Sequence, residues 1–302
     1  VLNAKMLGDI VRKLPSDLVS IETDEKGLAN IKSGNASFDI SGISPQEFPK
    51  IPTINRDFYI SIEEKKLKSM IRQTVFALAV SDNKPILTGS LFDIENNKIS
   101  LVGVDGYRLA VRKEEIKDCE KTFNTVVPGK TMHEILKIIK DNELEIHIYF
   151  SEKHILFEFE GFIVVSRILE GEYINYQSIV PQTFNTQIIA TVDEFCDSIE
   201  RAALIINADS AKSPVRLQIY NDRVLLNCIA QSGKVSDVIK VNGTGDELEI
   251  GFNYKYLYDA FKACDEDHVR VCLNSALNPC VLKPIEGESF LYMILPVRLV
   301  SN

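Results

Sequence analysis

The feature that most constrains this chain is an internal repeat. A helix-like stretch followed by β-rich runs recurs five times along the 302 residues. Recurrence at a spacing of roughly sixty residues points to a fold assembled from copies of one supersecondary unit. The helical stretches are 4–14, 63–79, 129–140, 192–205 and 254–264. Leu67, Ile71, Val75 and Leu78 recur at helical spacing in the second, and Met132, Ile135, Leu136 and Ile139 do so in the third. Four of the five follow a strand-like run, at 58–62, 125–127, 186–190 and 248–252. Strands are expected at 86–94, 98–104 and 108–112 after the second helix, and at 215–220, 223–229 and 234–239 after the fourth. Short polar turns such as Glu95-Asn96-Asn97-Lys98 and Tyr220-Asn221-Asp222-Arg223 join them. The unit is therefore strand–helix–three strands, and the fold class is α+β.

A single unit leaves an apolar helix face and an apolar sheet face uncovered, whereas two units can cover each other. Pairing the second with the third and the fourth with the fifth gives domains at 56–180 and 181–302, and leaves 1–55 without a partner. The chain opens Val-Leu-Asn-Ala-Lys rather than with Met, so a further unit is expected to precede Val1. Prolines at 45, 49 and 52, and again at 181, mark extended connectors between the pairs.

Familiar catalytic patterns are not met. Gly129-Lys130-Thr131 ends like a phosphate-binding loop, but Asn124 stands where that loop needs glycine. His133-Glu134 begins like a zinc-protease helix, but Lys137 replaces the second histidine. No nucleophile elbow occurs, and the pairs Glu63-Glu64 and Asp193-Glu194 fall at helix starts, where they complement the helix dipole. The six cysteines form no CxxC pair and do not cluster with the four histidines, so reduced thiols, a cytoplasmic setting and neither metal nor cofactor are expected. No apolar run approaches the ~20 residues of a membrane helix. Four of the five helical stretches hold more Lys and Arg than Asp and Glu, in a chain of net charge −9. If the helices share a surface, it is positive within an acidic body, and such a surface holds duplex phosphates without reading sequence. The alternative is that these are ordinary solvated faces, and the fourth helix, acidic with only Arg201, favours that alternative.

More specific residues lie between the helices. Thr74-Val75-Phe76-Ala77-Leu78-Ala79, Pro85-Ile86-Leu87-Thr88-Gly89 and Val104-Asp105-Gly106-Tyr107-Arg108-Leu109-Ala110 occur in that order. Ser166-Arg167-Ile168-Leu169-Glu170-Gly171-Glu172-Tyr173, Gly251-Phe252-Asn253 with Tyr256-Leu257, Leu277-Asn278-Pro279-Cys280 and Leu295-Pro296-Val297-Arg298-Leu299 follow. Together these runs resemble the bacterial sliding clamp family, the beta subunit of DNA polymerase III, over nearly the whole chain. The resemblance implies the DNA clamp fold: paired units forming similar domains, helices lining an inner face, two chains closing head to tail, and about half of the first domain lacking here. It implies a non-catalytic processivity factor that encircles double-stranded DNA. The expected partners are the polymerase III alpha subunit, the clamp loader, other DNA polymerases and mismatch-repair proteins, and none is a membrane.

By the same resemblance, short peptides would bind a cleft between the second and third domains at Leu87, Val104, Gly106, Tyr107, Arg108, Leu109, Ile174, Ile179, Leu277, Pro279, Met293, Ile294, Leu295, Pro296 and Val297. Ile174 and Asn175 replace the Pro and Asp usual after this Tyr. DNA would be faced by Lys5, Ser81, Lys84, Pro85 and Ile86. Subunits would meet through Asn35, Phe38 and Ile40 on one side and Arg201, Leu204 and Ile205 on the other. Two other readings stand beside this one: an enzyme with an unrecognised site in the cleft, where only Tyr107 and Arg108 are titratable, and a peptide-binding adaptor that never encircles DNA.

Overall fold

The computed structural model describes residues 1–50, 52–80, 84–117, 119–208 and 213–299. They form two compact units, Val1–Thr53 and Ile54–Asn302. In the first, α1 (Ala4–Val11) precedes an antiparallel sheet of β1 (Ser20–Thr23), β2 (Leu28–Ser33) and β3 (Ala36–Ser41), in that order. Asn3 caps α1 by accepting the Met6 N–H at 3.0 Å. Ala29, Ile31 and Ile40 are buried in this unit, whereas α1 has no buried residue.

The second unit repeats one order of elements four times. The first copy is β4 (Tyr59–Glu63), α2 (Glu64–Arg72), β5 (Gly89–Glu95), β6 (Lys98–Val104) and β7 (Arg108–Glu115). The second is β8 (Phe123–Pro128), α3 (Gly129–Ile138), β9 (Glu145–Phe150), β10 (His154–Phe159) and β11 (Phe162–Arg167). The third is β12 (Thr186–Thr191), α4 (Val192–Asn207), β13 (Val215–Ile219), β14 (Arg223–Ala230) and β15 (Gly233–Lys240), followed by the short β16 (Asn242–Thr244). The last is β17 (Leu248–Phe252), α5 (Tyr254–Lys262), β18 (His268–Leu273), β19 (Cys280–Pro284) and β20 (Phe290–Ile294). None of the helices among the described residues is long and apolar enough to cross a membrane.

The copies interlock through their leading strands. β4 pairs with β9 and β8 with β5; likewise β12 pairs with β18 and β17 with β13. Each copy thus lends one strand to its neighbour's sheet, and helices pack beside one another as α2 with α3 and α4 with α5. Two cores result. Leu67, Met70 and Ile71 of α2 and Met132 and Ile135 of α3 meet Phe92, Ile148 and Phe157 from the strands; Phe195 of α4 stacks on Phe261 of α5 in the other, centroids 4.5 Å apart. A last pairing, β7 with β20, joins two sheets into one of nine strands, ordered β16-β12-β18-β19-β20-β7-β6-β5-β8.

Several local expectations are corrected. The helix read over 63–79 stops at Arg72: the Thr74 hydroxyl bonds back to the Met70 carbonyl at 2.8 Å, and a 3-10 turn, Val75–Ala77, follows. The backbone of β6 backs against this break, since any Cβ on Gly103 would run into the Thr74 carbonyl oxygen. The run 86–94 opens as a 3-10 turn, Pro85–Thr88, before β5 begins at Gly89. Glu64 does more than complement a dipole. It is fully buried, and its Oε2 accepts the Lys140 N–H at 2.9 Å, tying the start of α2 to the chain beyond α3. Gly129 serves packing, because a Cβ there would lie 2.7 Å from the Thr88 carbonyl oxygen. His133 Nδ1 lies 2.7 Å from the Gly129 carbonyl oxygen within its own helix. None of the six cysteines is in a disulfide; Cys119, Cys196, Cys228, Cys272 and Cys280 are buried.

A polar network pins α2 to the segment after α5. Asp265 accepts from Ser69 at 2.9 Å and from Arg72 and Gln73; the Tyr292 hydroxyl donates to Gln73 Oε1 at 2.9 Å. Tyr292 and Gln73 are both buried. Replacing Tyr292 by Phe removes the donor and leaves the Gln73 carbonyl unsatisfied, an expected loss of about 1–3 kcal/mol. Urea unfolding checks this; a midpoint unchanged at constant slope would contradict it.

Candidate functional site

The β7–β20 seam organises the site. Leu109 faces Met293 and Arg108 faces Ile294 across the ladder. The pairing runs one step past the strand end, where the Leu295 N–H donates to the Tyr107 carbonyl at 2.8 Å. Beyond it the Val297 N–H donates to the Gly251 carbonyl, also at 2.8 Å. Leu299 lies so close over Gly251 that a side chain there would collide with it. The closing Leu295-Pro296-Val297 run is thus held by backbone on both sides, with Leu295 and Val297 exposed and Pro296 half-buried.

The turn into β7 is fixed by Asp105 and Gly106. Asp105 Oδ1 accepts the N–H groups of Tyr107 (2.9 Å) and Arg108 (3.1 Å), an Asx-type turn, and Gly106 supplies the φ of 91° that it needs. Arg108 then turns inward. Its Nε donates to Asp105 Oδ2 at 3.0 Å, one terminal nitrogen donates to Asp259 Oδ2 at 2.6 Å, and its guanidinium lies 4.5 Å from the centroid of Tyr256. Tyr107 stays exposed and stacks on Tyr256, 25° from parallel.

The floor is apolar. Val104, Leu109 and Met293 are buried in one cluster, with Ile86 and Leu87 half-buried against it. A strap at 173–180 lies over this cluster. The Tyr173 hydroxyl donates to the Val102 carbonyl at 3.3 Å and the Tyr176 hydroxyl to Asp93 Oδ2 at 2.8 Å. Desolvation, and then Asp93, push the Tyr176 phenol up to about 12. Ile174, between these anchors, and Ile179, beyond Tyr176, are exposed.

The structure thus brings Leu87, Val104, Leu109 and Met293 into one apolar cluster, with Gly106, Tyr107 and Arg108 on the adjoining turn and Leu295, Pro296 and Val297 running past it. Ile294 is buried in the core on the opposite sheet face. Leu277 is exposed and Pro279 half-buried on the β18–β19 connection. Lys84 and Pro85 are exposed; Ser81 lies outside the described residues. Lys5 is exposed on α1, beside a shallow groove lined by Met6, Ile10 and Phe38. Asn35 and Phe38 are exposed and Ile40 buried; Leu204 is exposed, Ile205 half-buried, and Arg201 donates to Asp237 at 2.5 and 2.8 Å. Residue-by-residue expectation did not include Asp259 or Phe76, whose ring lies 5.5 Å from the Arg108 guanidinium. The only cue was the α5 position of Asp259, three residues after Tyr256 and so on the same helix face.

Comparison with known proteins places these features in a family. Residues 1–52, 61–175 and 177–298 match the N-terminal, central and C-terminal domains of the DNA polymerase III beta subunit. A beta sliding clamp of Staphylococcus aureus is 35% identical over 300 residues, covering 99% of this chain and 79% of that protein. The DNA polymerase sliding clamp of Bacillus subtilis superposes with a TM-score of 0.94 at 34% identity, covering 99% of this chain and 80% of the other. The DNA polymerase III beta chain of Streptococcus pneumoniae gives 0.91 at 30% identity, with the same coverage. The chain belongs to the DNA polymerase III beta-subunit family, the bacterial sliding clamps.

Proposed function

We propose that this chain is a non-catalytic processivity subunit of the DNA polymerase III holoenzyme in the cytoplasm. Two copies close head to tail around double-stranded DNA and present a peptide cleft to the polymerase alpha subunit, the clamp loader, other polymerases and mismatch-repair proteins. The domains are 56–180 and 181–302, with 1–55 contributing the second half of another. The observation that carries this reading is the β7–β20 pairing, by which one sheet continues across two modules through their third strands. β3 and β15 are third strands of the same kind, and each lies at the edge of its sheet. Edge-to-edge pairing of β3 in one copy with β15 in another extends the same rule and hides both edges. Exposed Phe38 and Leu204 would be covered in that contact.

The peptide cleft is the apolar seam beneath the strap, with Leu109 and Met293 as floor and Ile174, Ile179, Leu295 and Val297 as rim. Met293 adapts its shape to different ligands. Arg108 shapes this cleft, its Nε and one terminal nitrogen being held by Asp105 and Asp259. DNA contacts fall on Lys5, Lys84 and their neighbours, which meet phosphate without reading bases.

Leu295→Ala, and more strongly the Leu109→Ala and Leu295→Ala pair, should weaken binding of a polymerase tail peptide, the pair by about 2 kcal/mol, roughly thirtyfold. Calorimetry reads this, and the exposed Leu295 position keeps the single variant interpretable if the double variant is destabilised; unchanged affinity in both rejects the cleft. Retention on a nicked circular duplex should disappear when the circle is cut. Equal retention on circular and linear DNA would reject encirclement and leave an ordinary binding protein.

A further inference from the structure

The seam does not end at the Leu109–Met293 pair. Two residues further along, Val111 faces Leu291 on the same sheet side, about 7 Å away. The β19–β20 ladder sets Leu282 against Tyr292, so the next step brings Lys283 beside Leu291. Lys113 follows Val111 by two residues and shares its face. Register alone therefore lays two ammonium groups around an apolar pair on three neighbouring strands. Tyr176 and Val180 close the space above, leaving a cavity of about 210 Å³. Asp93 holds the Tyr176 hydroxyl, so the ring stands as a fixed wall.

Neither lysine is committed to a strong partner. Lys113 reaches Glu288 at 3.3 Å, but Glu288 is 87% exposed, so water and salt screen the pair. Lys283 lies 5.0 Å from the centroid of the Phe184 ring, and no carboxylate pairs with it among the described residues. The space is smaller than the ~300 Å³ at which ordinary small-molecule pockets begin, and suits one side chain. An occupant must combine an apolar group with a negative charge a few bonds away.

We propose that this cavity binds the C-terminal residue of a partner polypeptide, its apolar side chain against Val111 and Leu291 and its free carboxylate between Lys113 and Lys283. An internal Asp or Glu supplies the charge without the apolar group, and an internal Leu or Phe the reverse; a chain end carries both. The cavity continues the seam of the Leu109–Leu295 cleft two residues further on, but its lining residues Val111, Lys113, Lys283 and Leu291 are not those of the cleft, and it does not rest on that reading.

Ligand-observed NMR titration of the whole chain with N-acetyl-phenylalanine and with its C-terminal amide tests this. The acid should bind at least about tenfold more tightly than the amide, the difference expected when a charge-assisted contact is lost. Lys113→Gln combined with Lys283→Gln should bring the two within about twofold, and Leu295→Ala should leave the preference intact. Equal binding of acid and amide, no binding of either, a preference that survives loss of both lysines, or one that disappears with Leu295→Ala overturns the proposal.

Discussion

The backbone ladder between β7 and β20 is the constraint on which the second unit depends. Five residue pairs, from Phe290 with Arg112 to Ile294 with Arg108, exchange main-chain contacts there. Neither strand is free to be an edge, so hydrogen bonds that would face water are satisfied within the molecule. Because side chains alternate across a strand, the same register sorts residues to two faces. Ala110, Tyr292 and Ile294 go into the main core, and Leu109, Val111, Leu291 and Met293 go beneath the strap. A one-residue slip would send Tyr292 out of its network with Gln73 and bring Met293 in.

The seam alone would leave a mobile turn at its end, and electrostatics removes that freedom. Arg108 is 9% exposed and meets two carboxylates, one on its own turn and one on α5. Such a pair gives little net stability but penalises any state that separates its members, because a lone buried charge costs several kcal/mol. The turn carrying Tyr107 is thereby fixed to the helix carrying Tyr256. The strap is fixed from the other side by Tyr173 and Tyr176, both with phenols that desolvation holds in the neutral form well above the ordinary range. The apolar floor is therefore bounded by ordered walls, so the proposed peptide cleft is preorganised.

Much of this was legible in the sequence because the repeat switches between two periodicities, and both are written in local residues. β6 and β17 fall on the expected boundaries, and every expected helix is present. What local pattern missed depends on distant contacts. Apolar spacing continues smoothly past Arg72, and nothing nearby announces that Gly103 will back against Thr74. Glu64 looks like a helix-start acid because its partner, the Lys140 N–H, is 76 residues away. Asp259 could not be matched to Arg108 across 151 residues without the fold. The apolar members of the cluster were found through family resemblance, since buried Val and Leu have no pattern that separates a floor from a core.

The same folding changes the meaning of the helical charges. Counted along the chain, α2 and α3 look basic, but many of their cations already face carboxylates: Lys65 meets Glu63 and Glu143, Lys66 meets Glu63, Lys137 meets Glu134, and Arg72 meets Asp265. Lys140, just beyond α3, meets Glu160. Pairing with Glu143 holds the Lys65 ammonium above its ordinary range, and pairing with Glu160 does the same for Lys140. These pairs lie in solvent, where they are screened and readily exchanged. On the proposed function, that is a favourable state for a lysine facing DNA: a phosphate would replace the carboxylate and the carboxylate would take the lysine back, so no position along the duplex would be strongly preferred.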